Sequence, residues 1–151
     1  MDGGAEIKNA VVVTVPSDPK YLCVVREVTA KMGQMHGLGE EMIEQIRLAV
    51  DEACANVIKY AYGGDAGKKI VVRYKVDRER FEVVIEDTGI KADPRGITGR
   101  KLEEVRPGGL GVHLIKRCFD VFEFDGRKKI GNRLRLVRYL KERNEDRDNG
   151  T

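Results

Sequence analysis

The stretch Ile46-Arg47-Leu48-Ala49-Val50-Asp51-Glu52-Ala53-Cys54-Ala55-Asn56-Val57-Ile58-Lys59-Tyr60-Ala61-Tyr62 constrains this chain most. Ile46, Val50, Ala53 and Val57 recur at helical spacing, which predicts a long amphipathic helix with one buried stripe. Glu52 and Asn56 are four apart and stack on one flank of it, about a quarter turn from the stripe. A carboxylate and a carboxamide side by side at the edge of a core can hold a metal-bound phosphate and a nucleophile together. Taken alone, the pair reads more readily as the polar flank of a surface helix. The rest of the chain decides.

Upstream, Val11-Val12-Val13-Thr14-Val15 is a β-branched run and predicts a strand. Asp18 and Pro19 suit the cap and first position of a helix over about 18–35, with Leu22, Val25, Val28 and Met32 as its stripe. Gly37 and Gly39 break it, and Glu40 and Glu41 open the next helix with charges that complement its dipole. Downstream, Ile70, Val72, Tyr74 and Val76 alternate with a polar face, and Phe81, Val83 and Ile85 answer them across Asp77-Arg78-Glu79-Arg80 as an antiparallel hairpin. A third helix is predicted after Gly111, and strands at about 121–124 and 129–140.

Residues 90–107 are different. Pro94, Gly96, Gly99 and Pro107 argue against regular structure, and Lys91, Arg95, Arg100, Lys101 and Arg106 outnumber the acidic residues. This is either a solvated loop or a basic lid over an anion. Residues 141–151 carry no apolar pattern and predict a frayed tail. The order β-α-α-β-β-lid-α-β-β predicts an α+β protein. Its architecture is a two-layer α/β sandwich, with a mixed, mainly antiparallel sheet and helices on one face, as a single domain over 1–151.

Composition excludes several classes. A formal charge of +3, with Asp and Glu interleaved throughout, gives no electrostatic footprint for direct nucleic-acid binding. No apolar run approaches the roughly 20 residues of a membrane span, and the acidic start does not read as a signal peptide. Cys23, Cys54 and Cys118 are widely spaced and predict buried thiols in a reducing, cytoplasmic setting. His36 and His113 have no ligand-spaced partners, so no zinc site is expected.

Three further stretches join the Glu52-x-x-x-Asn56 pair. Asp87-x-Gly89 ends a strand, where a carboxylate can accept a hydrogen bond from an exocyclic amine and a glycine lets a base approach. Gly108-Gly109-Leu110-Gly111 opens a helix, whose free N–H groups form an anion site. It matches neither the Rossmann nor the Walker pattern. Gly131-Asn132 lies within the last predicted strand, where a glycine marks close backbone approach.

In this order and spacing, the four stretches resemble the N, G1, G2 and terminal boxes of the GHKL ATPase superfamily, which includes gyrase, Hsp90, histidine kinases and MutL. The resemblance covers residues 7–140 and implies the Bergerat ATP-binding fold. Ala49–Asn56 and Gly108–Ile115 look most like a small stand-alone branch, the bacterial anti-sigma-factor serine/threonine kinases. By position, the resemblance implies Glu52 as catalytic base and Asn56 as ligand of Mg²⁺ on ATP. It implies Lys59 near a phosphate, Asp87 on the adenine amine, Gly89 beneath the base, Gly109 and Gly111 at the phosphates, and Arg106 reaching the γ-phosphate. It further implies a sigma factor and a STAS-type anti-sigma antagonist as partners, and a homodimer. Two positions depart from the pattern: Lys91 stands where many relatives have a second glycine, and Asn132 follows Gly131 where many have threonine. A nucleotide-dependent anti-sigma switch with little kinase activity is the alternative. A histidine-kinase catalytic domain predicts an upstream phosphoacceptor helix, for which residues 1–40 leave no room.

Overall fold

The computed structural model describes residues 9–92 and 107–140, with backbone only for 107–110. Strand β1 spans Val11–Pro16, helix α1 Leu22–Met35, helix α2 Glu40–Asn56, β2 Lys69–Val76, β3 Arg80–Asp87, α3 Pro107–Cys118, β4 Val121–Phe124 and β5 Asn132–Tyr139. A 3₁₀ turn at Pro19–Tyr21 precedes α1, and a π-helical turn at Val57–Ala61 extends α2. The Asp18 carboxylate caps the 3₁₀ turn by accepting the Lys20 N–H at 3.1 Å, so the predicted cap is real but serves the turn rather than α1 itself.

The five strands form one sheet in the order β1-β2-β3-β5-β4. Every neighbouring pair is antiparallel, where a mixed sheet was expected. The reason lies in one crossover. β3 and β4 are joined through α3 and both run antiparallel to β5, so they point the same way, as in a βαβ unit. β5 then inserts between them and removes the parallel pairing.

Strand parity divides the sheet into two faces. Ile70, Val72 and Tyr74 of β2, Phe81, Val83 and Ile85 of β3, and Leu134 and Leu136 of β5 are buried toward the helices. Val25 and Met32 of α1, Ile46, Val50 and Cys54 of α2, and Ile115 of α3 cover them. Arg26 and Asp51 pair at 2.8 Å and tie α1 to α2. The predicted stripe of α2 is correct for Ile46, Val50 and Ala53, while Val57, now in the π turn, is only partly buried. Cys54 and Cys118 are buried as expected, but Cys23 is exposed because it lies beside Leu22, off the α1 stripe.

The other face carries the charges. Arg73 pairs with Glu86 at 2.8 Å, and Arg135 bridges Glu82 at 3.3 Å and Glu123 at 3.0 Å. A groove of about 700 Å³ lies over this ladder and contains none of the residues singled out by the sequence. Its ion pairs neutralise one another across strands, the ordinary dressing of a solvated sheet face.

Two boundaries differ from expectation. Pro107 begins α3, so Gly108, Gly109 and Gly111 lie inside the helix rather than leading into it. A proline suits that first position because the N–H it lacks would have no helical partner there. Gly131 lies just outside β5, at φ +75, and Asn132 is the first residue of the strand. Most of the predicted lid, at 93–106, and the predicted tail, at 141–151, lie outside the described residues. Among the described residues, no helix is long and apolar enough to cross a membrane.

Candidate active site

α2 places the candidate pair, Glu52 and Asn56. Its buried positions, Ile43, Ile46, Ala49, Val50, Ala53 and Cys54, turn one side to the core and leave Glu52 and Asn56 half-buried on its flank. Among the described residues, neither side chain has a hydrogen-bond or ion-pair partner. No buried side-chain nitrogen or oxygen there lacks a partner either, so both polar tips must reach solvent. The helix therefore presents a carboxylate and a carboxamide that no other described residue engages. Their neighbour Cys54 is inert: burial first, and the nearby Asp51 charge second, push its thiol up to about 12.

Gly111 of α3 meets this pair. A methyl group placed on Gly111 would lie 2.5 Å from Glu52 Oε2. The glycine thus makes room for the Glu52 carboxylate against the α3 backbone. Earlier in α3, the first turn leaves the N–H groups of Gly108 and Gly109 without helical acceptors. Glu52 therefore stands one turn along α3 from a set of free backbone donors.

The second centre is Asp87. Register puts it opposite Asn132, on the same face as the buried pair Ile85 and Leu134, at the end of both strands. Asp87 is buried, and its carboxylate is enclosed by donors. Oδ1 accepts the Gly89 N–H at 2.9 Å, the Asn132 N–H at 3.2 Å and Asn132 Nδ2 at 3.0 Å. Among the described residues Oδ2 accepts only Asn132 Nδ2, at 3.2 Å, and keeps acceptor capacity.

The π turn joins the two centres. It ends at Ala61, whose carbonyl accepts the Ile90 N–H at 2.7 Å. A methyl group on Gly89 would collide with that same Ala61 carbonyl. Gly89 is thus required by the approach of the α2 extension, independently of any base. One on Gly131 would strike the Asp87 carbonyl, so both strand ends at this site are packed backbone to backbone. Tyr62 closes the edge: its hydroxyl accepts the Thr88 N–H at 2.9 Å and donates to the Lys69 carbonyl at 2.5 Å. Lys59 is exposed on the π turn, its ammonium 5.7 Å from the Tyr60 ring centroid.

The structure thus brings Glu52 to Gly111 and groups Asp87 with Gly89. Asn56 follows Glu52 on the same flank, Lys59 is nearby in sequence on the π turn, and Arg106 lies outside the described residues. Sequence reasoning missed the Ala61 carbonyl, Tyr62 and the grip of Asn132. Gly131-Asn132 did signal close approach, but nothing in that dipeptide shows which strand end it grips. Among the described residues, no cluster of three or more His, Cys, Asp or Glu could cage a metal. The unengaged Asn56 carboxamide oxygen still suits Mg²⁺, a hard cation that keeps several waters and takes its remaining oxygens from phosphates.

An α+β sandwich with a buried carboxylate at one strand end and a glycine-rich first turn of a helix is a framework suited to a nucleotide. Residues 15–138 match the family model of the histidine kinase-like ATPase domain, and the chain belongs to that family. It is 26% identical to the serine-protein kinase RsbW of Bacillus pumilus, with 95% of this chain and 93% of that protein covered. It is also 29% identical to the protein of that name from Listeria monocytogenes, covering 77% of this chain and 79% of the relative. Among solved structures it resembles the mycobacterial sensor histidine kinase MprB, with a TM-score of 0.53 at 17% identity over 85% of this chain and 97% of that one. A histidine kinase domain from Erythrobacter litoralis EL346 gives a TM-score of 0.51 at 17% identity over 85% of this chain, which spans 63% of that domain. These two similarities concern the fold.

Proposed function

We propose that the chain is an ATP-dependent serine/threonine protein kinase and anti-sigma factor. In this reading it phosphorylates a STAS-type anti-sigma antagonist and sequesters a sigma factor. The observation that carries the reading is the Glu52 carboxylate, without a partner among the described residues and lodged against Gly111, one turn along α3 from the N–H groups of its first turn. The serine-protein kinases that the chain resembles, over 93% of the Bacillus pumilus protein and 79% of the Listeria one, support it.

Asp87 accepts the adenine amine at Oδ2, and Gly89 lies beneath the base. Gly109 offers its N–H to the phosphates, and Gly111 gives Glu52 clearance beside them. Lys59 and Arg106 add positive charge at the phosphates. Mg²⁺ on Asn56, when bound, neutralises phosphate charge. Glu52 takes the proton from a serine or threonine hydroxyl of the antagonist as its oxygen attacks the γ-phosphorus. The bond from the γ-phosphorus to the bridging oxygen breaks and ADP leaves. Positioning and charge neutralisation supply most of such a reaction's rate, and both are built into this site. The chain acts as a homodimer in the cytoplasm, and contacts neither nucleic acid nor membrane directly.

The test is transfer of labelled phosphate from ATP with Mg²⁺ to a cognate STAS protein. Glu52→Gln keeps nucleotide affinity and lowers transfer about 10²–10⁴-fold, the usual contribution of a positioned base. Normal transfer by this variant removes Glu52 from the role. A wild type that binds ATP yet phosphorylates no STAS partner is the nucleotide-dependent switch instead.

A further inference from the structure

The Asn132 carboxamide is fully engaged, and its bonds go to two places. Nδ2 donates to both oxygens of Asp87 and to the Ile90 carbonyl at 2.9 Å. Oδ1 accepts the Ala92 N–H at 2.7 Å. This pattern fixes the orientation of the amide. Reversed, it would set an oxygen against the Asp87 carboxylate and an NH₂ against the Ala92 N–H. The bonds to Asp87 are buried away from competing water, while those to Ile90 and Ala92 lie at the partly exposed edge of the site. A threonine here has one O–H on a shorter side chain, so it can donate to Asp87 or to the Ile90 carbonyl but not to both.

We propose that Asn132 is a positioning residue of the nucleotide site: it orients Asp87 with Oδ2 left for the base amine, and fastens residues 90–92 to that carboxylate. The placement of Asp87 follows from bond count. Oδ1 carries three donors and Oδ2 one, so the carboxylate is turned by Asn132 and Gly89 and offers one oxygen to a ligand. An acceptor-only carboxylate held this way takes an amine and rejects a carbonyl oxygen, which favours a 6-amino purine over a 6-oxo purine. The same amide sets the path of the chain from Ile90 to Ala92, immediately after the strand that carries Asp87. Base recognition and the course of that segment are thus coupled through one side chain. The inference rests on the reading of Asp87 as the base acceptor.

The experiment measures MgADP affinity by calorimetry at several pH values, together with hydrogen exchange at the Ala92 amide without nucleotide. The proteins are wild type, Asn132→Ala, Asn132→Thr, Asn132→Asp and Asp87→Asn, each checked for folding by circular dichroism. Asn132→Ala weakens MgADP about tenfold or more, the scale of a lost hydrogen bond to a charged group, and speeds Ala92 exchange. Asn132→Thr keeps affinity within about threefold but also speeds exchange, which separates the two attachments. Asn132→Asp sets two carboxylates face to face. Its deficit relative to wild type is greatest near pH 8 and shrinks toward pH 5.5, as one shared proton restores a donor. A merely structural defect would show no such recovery. If Asp87→Asn loses affinity while Asn132→Ala and Asn132→Asp match wild type, the positioning role is overturned and the base site stands. If Asp87→Asn also binds normally, the reading of Asp87 falls, and this inference with it.

Discussion

Gly111→Ala separates stability from catalysis in this protein. Gly111 lies within α3, at ordinary helical φ, so alanine is sterically acceptable to the backbone itself. Replacing a glycine inside a helix stabilises by about 0.5–1 kcal/mol through lost chain entropy in the unfolded state. For a protein of this length that is a rise of about 1–4 °C in Tm. The new methyl group, however, arrives 2.5 Å from Glu52 Oε2, and real contacts of this type stay beyond 3.0 Å. Glu52 must therefore move by about 0.5 Å or more, and its flexible end makes that movement cheap for the fold. It is not cheap for the reaction. A misplacement of about 1 Å can cost about 10²-fold in rate, so transfer should fall about 10-fold or more, roughly 1.4 kcal/mol of barrier. The assays are thermal unfolding, MgATP affinity and single-turnover phosphate transfer to the STAS substrate. The expected outcome is a higher Tm, affinity within about threefold and slower transfer. A more stable variant with wild-type transfer refutes Glu52 as the base at this place. A destabilised variant refutes the steric account.

Three further outcomes follow from the structure. Asp87→Asn puts an NH₂ among the Gly89 and Asn132 donors, and should weaken MgATP binding about 10-fold or more in calorimetry; unchanged affinity contradicts the adenine assignment. At alkaline pH, Cys54 should drive unfolding. Burial holds its folded-state thiol up to about 12 against an ordinary value of 9.0, so its contribution is complete below pH 9 and is lost as pH rises toward 12. Denaturant melts between pH 8 and 11 should show this decline, shallower in Cys54→Ala, and an equal slope in both proteins refutes it. In the native state Cys23 should react with a thiol reagent while Cys54 and Cys118 stay protected.

The sequence was most informative where periodicity and burial coincide. The α2 stripe and the alternation of β2 and β3 needed no tertiary information, because each residue's role follows from its spacing to its neighbours. Sheet pairing was harder. Insertion of β5 between β3 and β4 is a property of three separated segments, and local pattern says nothing about it. The third helix was placed too late because its opening glycines read as loop; their helical conformation depends on α3 packing against α2, where Gly111 faces Glu52.

The site follows the same division. Glu52, Asn56, Asp87 and Gly89 announce themselves because their chemistry resides in side chains, or in the lack of one. What links them is backbone. The α2 helix carrying Glu52 passes into a π turn, the turn brings the Ala61 carbonyl to the Ile90 N–H, and that contact sets α2 against the strand end holding Asp87. A π turn spends an extra residue per hydrogen-bonded turn and re-aims every group after it. Without it, Ala61 would not face Gly89, and the flank of α2 that carries Glu52 would lose its fixed relation to Asp87. Val57–Ala61 has no composition that distinguishes it from α-helix, so the feature that aligns the two halves of the site is the one that residue type alone conceals.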